Sequence, residues 1–497
     1  MGLTRYPSLL QINTRVRLSE LSNDLGRPAT LDDVSDNELD QMAADGFCLV
    51  WFLGVWQTGD AARRVSRSKA EWLDEYRRVL GDLREEDVTG SCFAVRDYRV
   101  HEDFGGDDAL ARLRERLRSR GLRLILDFVP NHMAPDHAWV VQHPEYFVPG
   151  TEEQMAGKPQ NWGRAGERIL AYGRDPYFDG WPDTFQLNYG SPELQDAMLG
   201  ELSRISRQCD GVRCDMAMLV LPEVFERTWG ILARPFWPWA TAAIRKEIPG
   251  FLFLAEVYWD LEWTLQQQGF DYTYDKTLYD RLERGGAREV REHFHAGLDY
   301  QDHLVRFLEN HDEPRAAATF PEHDVHRAAA VLTFFSPGLR FFHQGQREGR
   351  KVRIPVHLGR GTSEPVDEAI RDFYAQLLRC LRDPAFHEGS WQLLECRPAW
   401  DGNASWYAFI AFSWRGPGPR RRLVAVNYAP HRSQCYLDIP WNDLKGWSWR
   451  LADRMGDDVY DRAGDELQER GLYLDMPAWG SHVFAMEPLD DTGGPDA

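Results

Sequence analysis

The chain has 497 residues, 43% of them hydrophobic and 27% charged, and 58 Lys+Arg against 78 Asp+Glu give a formal charge of −20. This is a globular composition with ample material for a core, and its length fits two or three domains or one large barrel with attachments. The negative sign argues against nucleic acid or an anionic membrane as partner, since both would repel it, and no apolar run approaches the ~20 residues of a membrane span.

In chain order, Met1 to Leu10 lacks a basic stretch followed by an apolar one, so no secretory signal is expected. Phe47 to Leu53 reads as a buried strand. Leu110, Leu113 and Leu117 form a stripe at helical spacing closed by Gly121, and Leu122 to Phe128 follows as a strand. Further strands are expected at Gly211–Asp215, Phe251–Val257, Val305–Asn310 and Leu339–Phe342, with a last helix at Val366–Arg382. Helix alternating with strand predicts a parallel sheet built by right-handed crossovers.

Asp127 and Asp215 are 88 residues apart, whereas Asp215 and Glu256 are separated by 41, the size of one strand–helix unit. The longer interval therefore holds an insertion, residues 131–189, rich in Pro, Gly, Trp and Tyr. After about residue 385 the helical period disappears. Strand-like runs (Trp406–Phe412, Arg422–Tyr428, Gln434–Ile439, Ser481–Ala485) are joined by turns, as in an antiparallel β domain. The polar end, residues 489–497, is expected to be disordered.

Four stretches place acids at or just past strand ends: Asp127 to His132, Gly211 to Asp215, Phe253 to Glu256 and Phe307 to Asp312. In a (β/α)8 barrel that edge gathers catalytic groups. Strand alternation puts Arg213 and Asp215 on one side, where the guanidinium favours the ionised carboxylate that a nucleophile needs. Glu256 follows the apolar Phe251–Ala255, a setting that raises its pKa and suits a general acid. Such a pair on consecutive strands fits retaining glycoside cleavage, and Asp312 supplies a third carboxylate. His132 and His311 are candidate donors to sugar hydroxyls. Any one of these acids alone is more often a helix cap or an ion pair, and Asp127 could simply pair with Arg213. Four in order at barrel spacing are not so explained.

These stretches resemble the four signature regions of glycoside hydrolase family 13, the α-amylase family. Asp127, Asn131 and His132 resemble the first region, Arg213 and Asp215 the second, Glu256 the third, and His311 and Asp312 the fourth. The resemblance spans about residues 5–490. It implies an α/β fold: a (β/α)8 TIM barrel over residues 1–384, an inserted loop-rich subdomain after strand 3 (131–189), and a C-terminal antiparallel β-sandwich (385–488). It implies Asp215 as nucleophile, Glu256 as acid/base and Asp312 as transition-state stabiliser.

Two departures point to a non-amylase subgroup. Leu219 and Val220 stand where many α-amylases carry Lys-His, so outer-subsite contacts and the backbone arrangement around a structural calcium are not expected. No cofactor is then required, and Asn131 is the one residue at a usual calcium-ligand position. Phe93 stands where the family commonly stacks a Tyr, so Asp127, His132, Arg213, His311 and Phe93 form the expected sugar-binding set.

The expected activity is hydrolysis or transfer of glucosyl from a short α-glucoside such as sucrose, trehalose or maltose, by double displacement. The alternatives are a phosphorylase or isomerase, sucrose phosphorylase-like or trehalose synthase-like, using the same intermediate, and a non-catalytic sugar-binding module. Two basic clusters run against the overall charge: Arg63, Arg64, Arg67 and Lys69, then Arg347, Arg350, Lys351 and Arg353. Arg64, Arg347 and Arg350 are candidate contacts for an anionic aglycone or acceptor; the competing reading is ordinary ion pairing with neighbouring acids.

Of the 19 Trp, Trp56, Trp181, Trp259 and Trp263 are candidate sugar platforms, and eight lie beyond residue 388, where they read as sandwich core. The seven Cys are scattered, odd in number and without a CxxC, which fits reduced thiols, a cytoplasmic location and no zinc site.

Overall fold

The computed structural model describes residues 3–489; the expected disordered tail falls, from residue 490, outside them. Eight parallel strands close a barrel: β1 (Ser8–Asn13), β2 (Leu49–Leu53), β3 (Arg123–Phe128), β4 (Gly211–Cys214), β5 (Leu252–Ala255), β6 (Tyr272–Tyr274), β7 (Leu304–Arg306) and β8 (Leu339–His343). Each bonds to its neighbours in sequence, and β1 bonds to β8 to close the ring. This is the parallel sheet expected from the alternation, closed into the (β/α)8 barrel that the resemblance implies.

β1 and β6 carry no clear signal in the sequence. β1 reads Ser-Leu-Leu-Gln-Ile-Asn, and its polar Gln11 is fully buried. There its Nε2 meets His311 Nδ1 at 2.8 Å, so a barrel-interior hydrogen bond replaces the apolar side chain that periodicity looks for. β6 has three residues, too few for any period. β7 is shorter than expected: after Arg306 the chain leaves the ladder, and Glu309 Oε2 accepts the Ala316 N–H while Asn310 Oδ1 accepts those of Asp312 and Glu313.

Local signals set the helices. α1 (Thr14–Leu25) starts under Asn13, whose side chain accepts the Val16 N–H, and stops at Gly26 with φ +66°. α2 (Ala70–Val79) lies in the β2–β3 connection. α3 (Gly106–Arg118) buries Leu110, Leu113 and Leu117 against the barrel. α4 (Glu368–Leu381) is capped by Asp367. On the β6–β7 wall, Asp275 meets His293 Nε2 at 2.9 Å and also the guanidinium of Arg306, all three buried.

The inserted segment folds as two small antiparallel pairs, His132–Met133 with Phe185–Gln186 and Trp162–Ala165 with Arg168–Ala171. Past Glu388 the chain forms a six-stranded antiparallel sheet and a three-stranded one, with a separate apolar core between them. Trp391, Trp414, Trp441 and Trp449 are buried, whereas Trp400 and Trp447 are more than half exposed, so only part of the C-terminal Trp set is core. The sandwich is tied to the barrel by Trp414 Nε1 donating to Phe335 O (2.8 Å) and Tyr428 Oη to Leu282 O (2.6 Å). The seven cysteines are unpaired, and no helix among the described residues is long and apolar enough to cross a membrane.

Candidate active site

β4 and β5 end side by side, and their register pairs Arg213 with Leu254 on one side and Asp127 of β3 on the other. Asp215 and Glu256 follow directly at the strand ends. Arg213 is fully buried, with Nη1 2.6 Å from Asp215 Oδ1, Nη2 2.7 Å from Glu256 Oε2, and Asp312 Oδ2 at 4.0 Å. The rings of Phe93, Trp51 and Tyr274 wall the guanidinium at 5.2, 5.3 and 5.7 Å. A guanidinium kept out of water, hydrogen-bonded to one carboxylate and within ion-pair distance of a second, is a strong clamp.

Glu256 is held through both oxygens. Oε2 also accepts the Met216 N–H at 2.7 Å, and Oε1 accepts the Tyr258 hydroxyl at 2.9 Å. Met216 adopts a left-handed φ of +43°, a conformation non-glycine residues avoid, and it aims that N–H at the carboxylate. Burial lifts the Glu256 carboxyl, against the pull of Arg213, to about 8, and the charges of Asp215 and Asp312 add to the rise. Asp312 is the most open of the three acids, and His311 Nε2 faces its Oδ2 at 3.0 Å.

Asp215, Glu256, Asp312, Phe93 and His132 line one cavity of about 360 Å³ at the strand C-terminal end. Trp72, Trp181, Asp183, Tyr258 and His357 are also among its lining residues. A cavity of about 560 Å³ around Arg114, Arg123 and Asp210 contains none of the three acids.

Asp127, Arg213 and His311 do not line this cavity. Asp127 forms no ion pair with Arg213: Oδ2 accepts the Gly54 N–H at 2.6 Å and Oδ1 the Trp51 Nε1–H at 3.1 Å, and burial pushes the carboxyl to about 7. It braces the β2–β3 rim. Gly54 is required there, because its φ is +76° and a Cβ would stand 2.7 Å from Cys92. His311 is held by Gln11 and backs the Phe93 ring at 5.3 Å; burial lowers its pKa to about 4, so it stands neutral. Burial likewise lowers that of His132.

Asn131 is engaged by an amide donor. Gln186 Nε2 donates to both its side-chain and its backbone oxygen at 2.9 Å. The lone pairs a cation would use thus face N–H groups.

The basic clusters are not brought to the cavity. Arg347 pairs with Asp45, Arg350 with Glu20 (3.0 Å) and Arg353 with Glu75 (2.6 Å), while Arg64 projects from an outer helix into solvent. Ion pairing accounts for Arg347 and Arg350, and the anion contact expected of the three residues has no geometry behind it. Of the four Trp platforms only Trp181 lines the cavity. Trp56 is core, donating to Asp127 O at 2.7 Å; Trp259 packs edge-on against Tyr177, and Trp263 is half exposed.

Tyr258 was legible in principle, being two residues past Glu256 at the same strand end. Trp72, Asp183 and His357 were not, because each comes from a connection whose path only the tertiary fold defines.

A sequence model described as alpha amylase, catalytic domain, matches residues 88–385. Alpha-amylase MalA of Haloarcula japonica is 24% identical over 283 residues, 55% of this chain and 39% of that protein. Alpha-amylase 2 of Dictyoglomus thermophilum is 23% identical over 331 residues, 60% of this chain and 53% of that one. The chain thus spans about half, or less, of the length of the curated relatives it matches. In three dimensions the alpha-amylase of Lactobacillus plantarum superposes with a TM-score of 0.69 at 19% identity, over 97% of this chain and 99% of that one. At that identity the likeness is one of fold.

Proposed function

The chain belongs to the alpha-amylase family, and on that premise we propose that it is a retaining enzyme acting on short α-glucosides, outside the amylase subgroup proper. The observation that carries this reading is the Arg213 guanidinium shared between Asp215 and Glu256. Asp215, held in charge contact with Arg213, attacks the anomeric carbon. Glu256, whose pKa of about 8 keeps it protonated at neutral pH, gives its proton to the leaving oxygen. The resulting glycosyl ester on Asp215 is opened by water or an acceptor hydroxyl that Glu256, now ionised, deprotonates. Asp312 steadies the positive charge on the sugar in both steps.

The cavity of about 360 Å³ is at the small end for ligand sites, which suits a disaccharide better than a long glucan. Asn131, occupied by Gln186, does not fit a calcium ligand, so no metal takes part in this reading. Seven unpaired thiols accord with a cytoplasmic setting and small internal glucosides. Incubation with sucrose, trehalose and maltose, with and without phosphate, tests the proposal. Release or transfer of glucose with retained α-configuration supports it, and a β-configured first product refutes it.

A further inference from the structure

Three connections meet above the acids. α2 contributes Trp72, the inserted segment contributes Trp181 and Asp183, and the chain after β8 contributes His357. The Trp72 and His357 rings lie together, centroids 4.7 Å apart and tilted by 33°. Asp183 sits beside His357. It is 3% exposed, and its Oδ2 accepts no hydrogen bond; His357 Nε2 is 3.6 Å away. A buried carboxylate oxygen left without a donor is costly, and a ligand hydroxyl that supplies one recovers that cost.

The charges around it have one sign. Asp183, Asp215 and Asp312 line the cavity beside the protonated Glu256, and Arg213, buried behind the wall, is hydrogen-bonded to Asp215 and within 2.7 Å of Glu256. The arginines after β8 are committed to acids of the outer layer. A phosphate or carboxylate entering beside Asp183 would meet carboxylates in a partly desolvated space with no free guanidinium to receive it.

We propose that Asp183 selects the leaving-group or acceptor moiety: it accepts from a hydroxyl of a neutral sugar lying beside Trp72 and His357, and it rejects sugars carrying an anionic group there. This rests on the α-glucoside reading above and names the class of the second substrate group.

The test compares kcat/KM for trehalose, trehalose 6-phosphate, maltose and 4-nitrophenyl α-glucoside, whose leaving group has no sugar hydroxyl. Wild type, Asp183→Asn and Asp183→Ala are measured, with folding checked by circular dichroism. Wild type is expected to favour the neutral disaccharides over the phosphorylated one by about 100-fold, and Asp183→Asn, which keeps the shape and removes the charge, to narrow that gap by about tenfold. Asp183→Ala is expected to lower the disaccharide-to-nitrophenyl ratio by about 10- to 100-fold. Equal wild-type use of trehalose 6-phosphate and trehalose, or a uniform change across all substrates in both variants, overturns the inference alone. A wild type that turns over no α-glucoside overturns it together with the reading on which it rests.

Discussion

Tyr258 donates its hydroxyl to Oε1 of Glu256 at 2.9 Å, while Oε2 accepts the Met216 N–H and lies 2.7 Å from Arg213 Nη2. With the Met216 N–H donating to Oε2 and the Arg213 guanidinium 2.7 Å from it, the exchangeable proton of the acid belongs on Oε1. The Tyr258 hydroxyl therefore accepts from Glu256 before proton transfer and donates to the carboxylate afterwards.

That relationship sets a pH profile. Glu256 must be protonated to act as the acid, so kcat/KM falls as pH rises through about 8. Tyr258→Phe removes a donor that favours the carboxylate, so the alkaline limb moves upward, by up to about one unit. A pH–rate profile checks both; a Tyr258→Phe limb that stays in place or moves down contradicts the assignment.

Gly54 gives a second prediction. Gly54→Ala forces a Cβ toward Cys92 at a left-handed φ and loosens the N–H bond to Asp127. It is expected to cost about 1–3 kcal/mol in denaturant unfolding, and to lower activity at a distance from the acids. Wild-type stability in this variant would mean that the β2 rim is more plastic than its geometry implies.

Asp275 anchors a buried charge cluster. His293 and Arg306 overcome the effect of burial and hold its carboxyl at about 2. Because that lies below the unfolded value of ~3.9, the contribution is present at neutral pH and is lost as pH falls below 4 toward 2. Asp275→Ala leaves Arg306 buried without its carboxylate and is expected to destabilise by about 3–5 kcal/mol at pH 7. The difference from wild type should shrink in acid, measured by unfolding midpoints at several pH values.

Metal dependence follows from Asn131. With Gln186 donating to both its oxygens, EDTA should change neither Tm nor turnover. A clear rise in Tm on adding Ca²⁺ that is lost in Asn131→Ala would place a cation where the amide now sits.

The parallel strands were legible because Phe47–Leu53 and Leu122–Phe128 are apolar runs set apart by a helical stripe, and Asp215 and Glu256 were legible because they stand at strand ends. Gln11 hid β1 by putting a polar side chain into the core, where His311 satisfies it. Asp127 illustrates the limit of a motif: its place at the strand end is as expected, yet Trp51 and Gly54 take both oxygens and keep it off the cavity wall. Arg347 and Arg350 look alike with Arg64 in sequence, and only the packing reveals Asp45 and Glu20 as their partners. Asp183 and His357 are 174 residues apart, and nothing local links them.

The central claim is a covalent glucosyl ester on Asp215. Glu256→Gln incubated with α-glucosyl fluoride tests it most directly, since fluoride leaves without an acid and the second step lacks its base. Mass spectrometry after proteolysis is predicted to find one hexosyl unit on the peptide carrying Asp215, and none when Asp215→Asn is added. Fluoride release with no adduct, or an adduct on another carboxylate, would contradict the account.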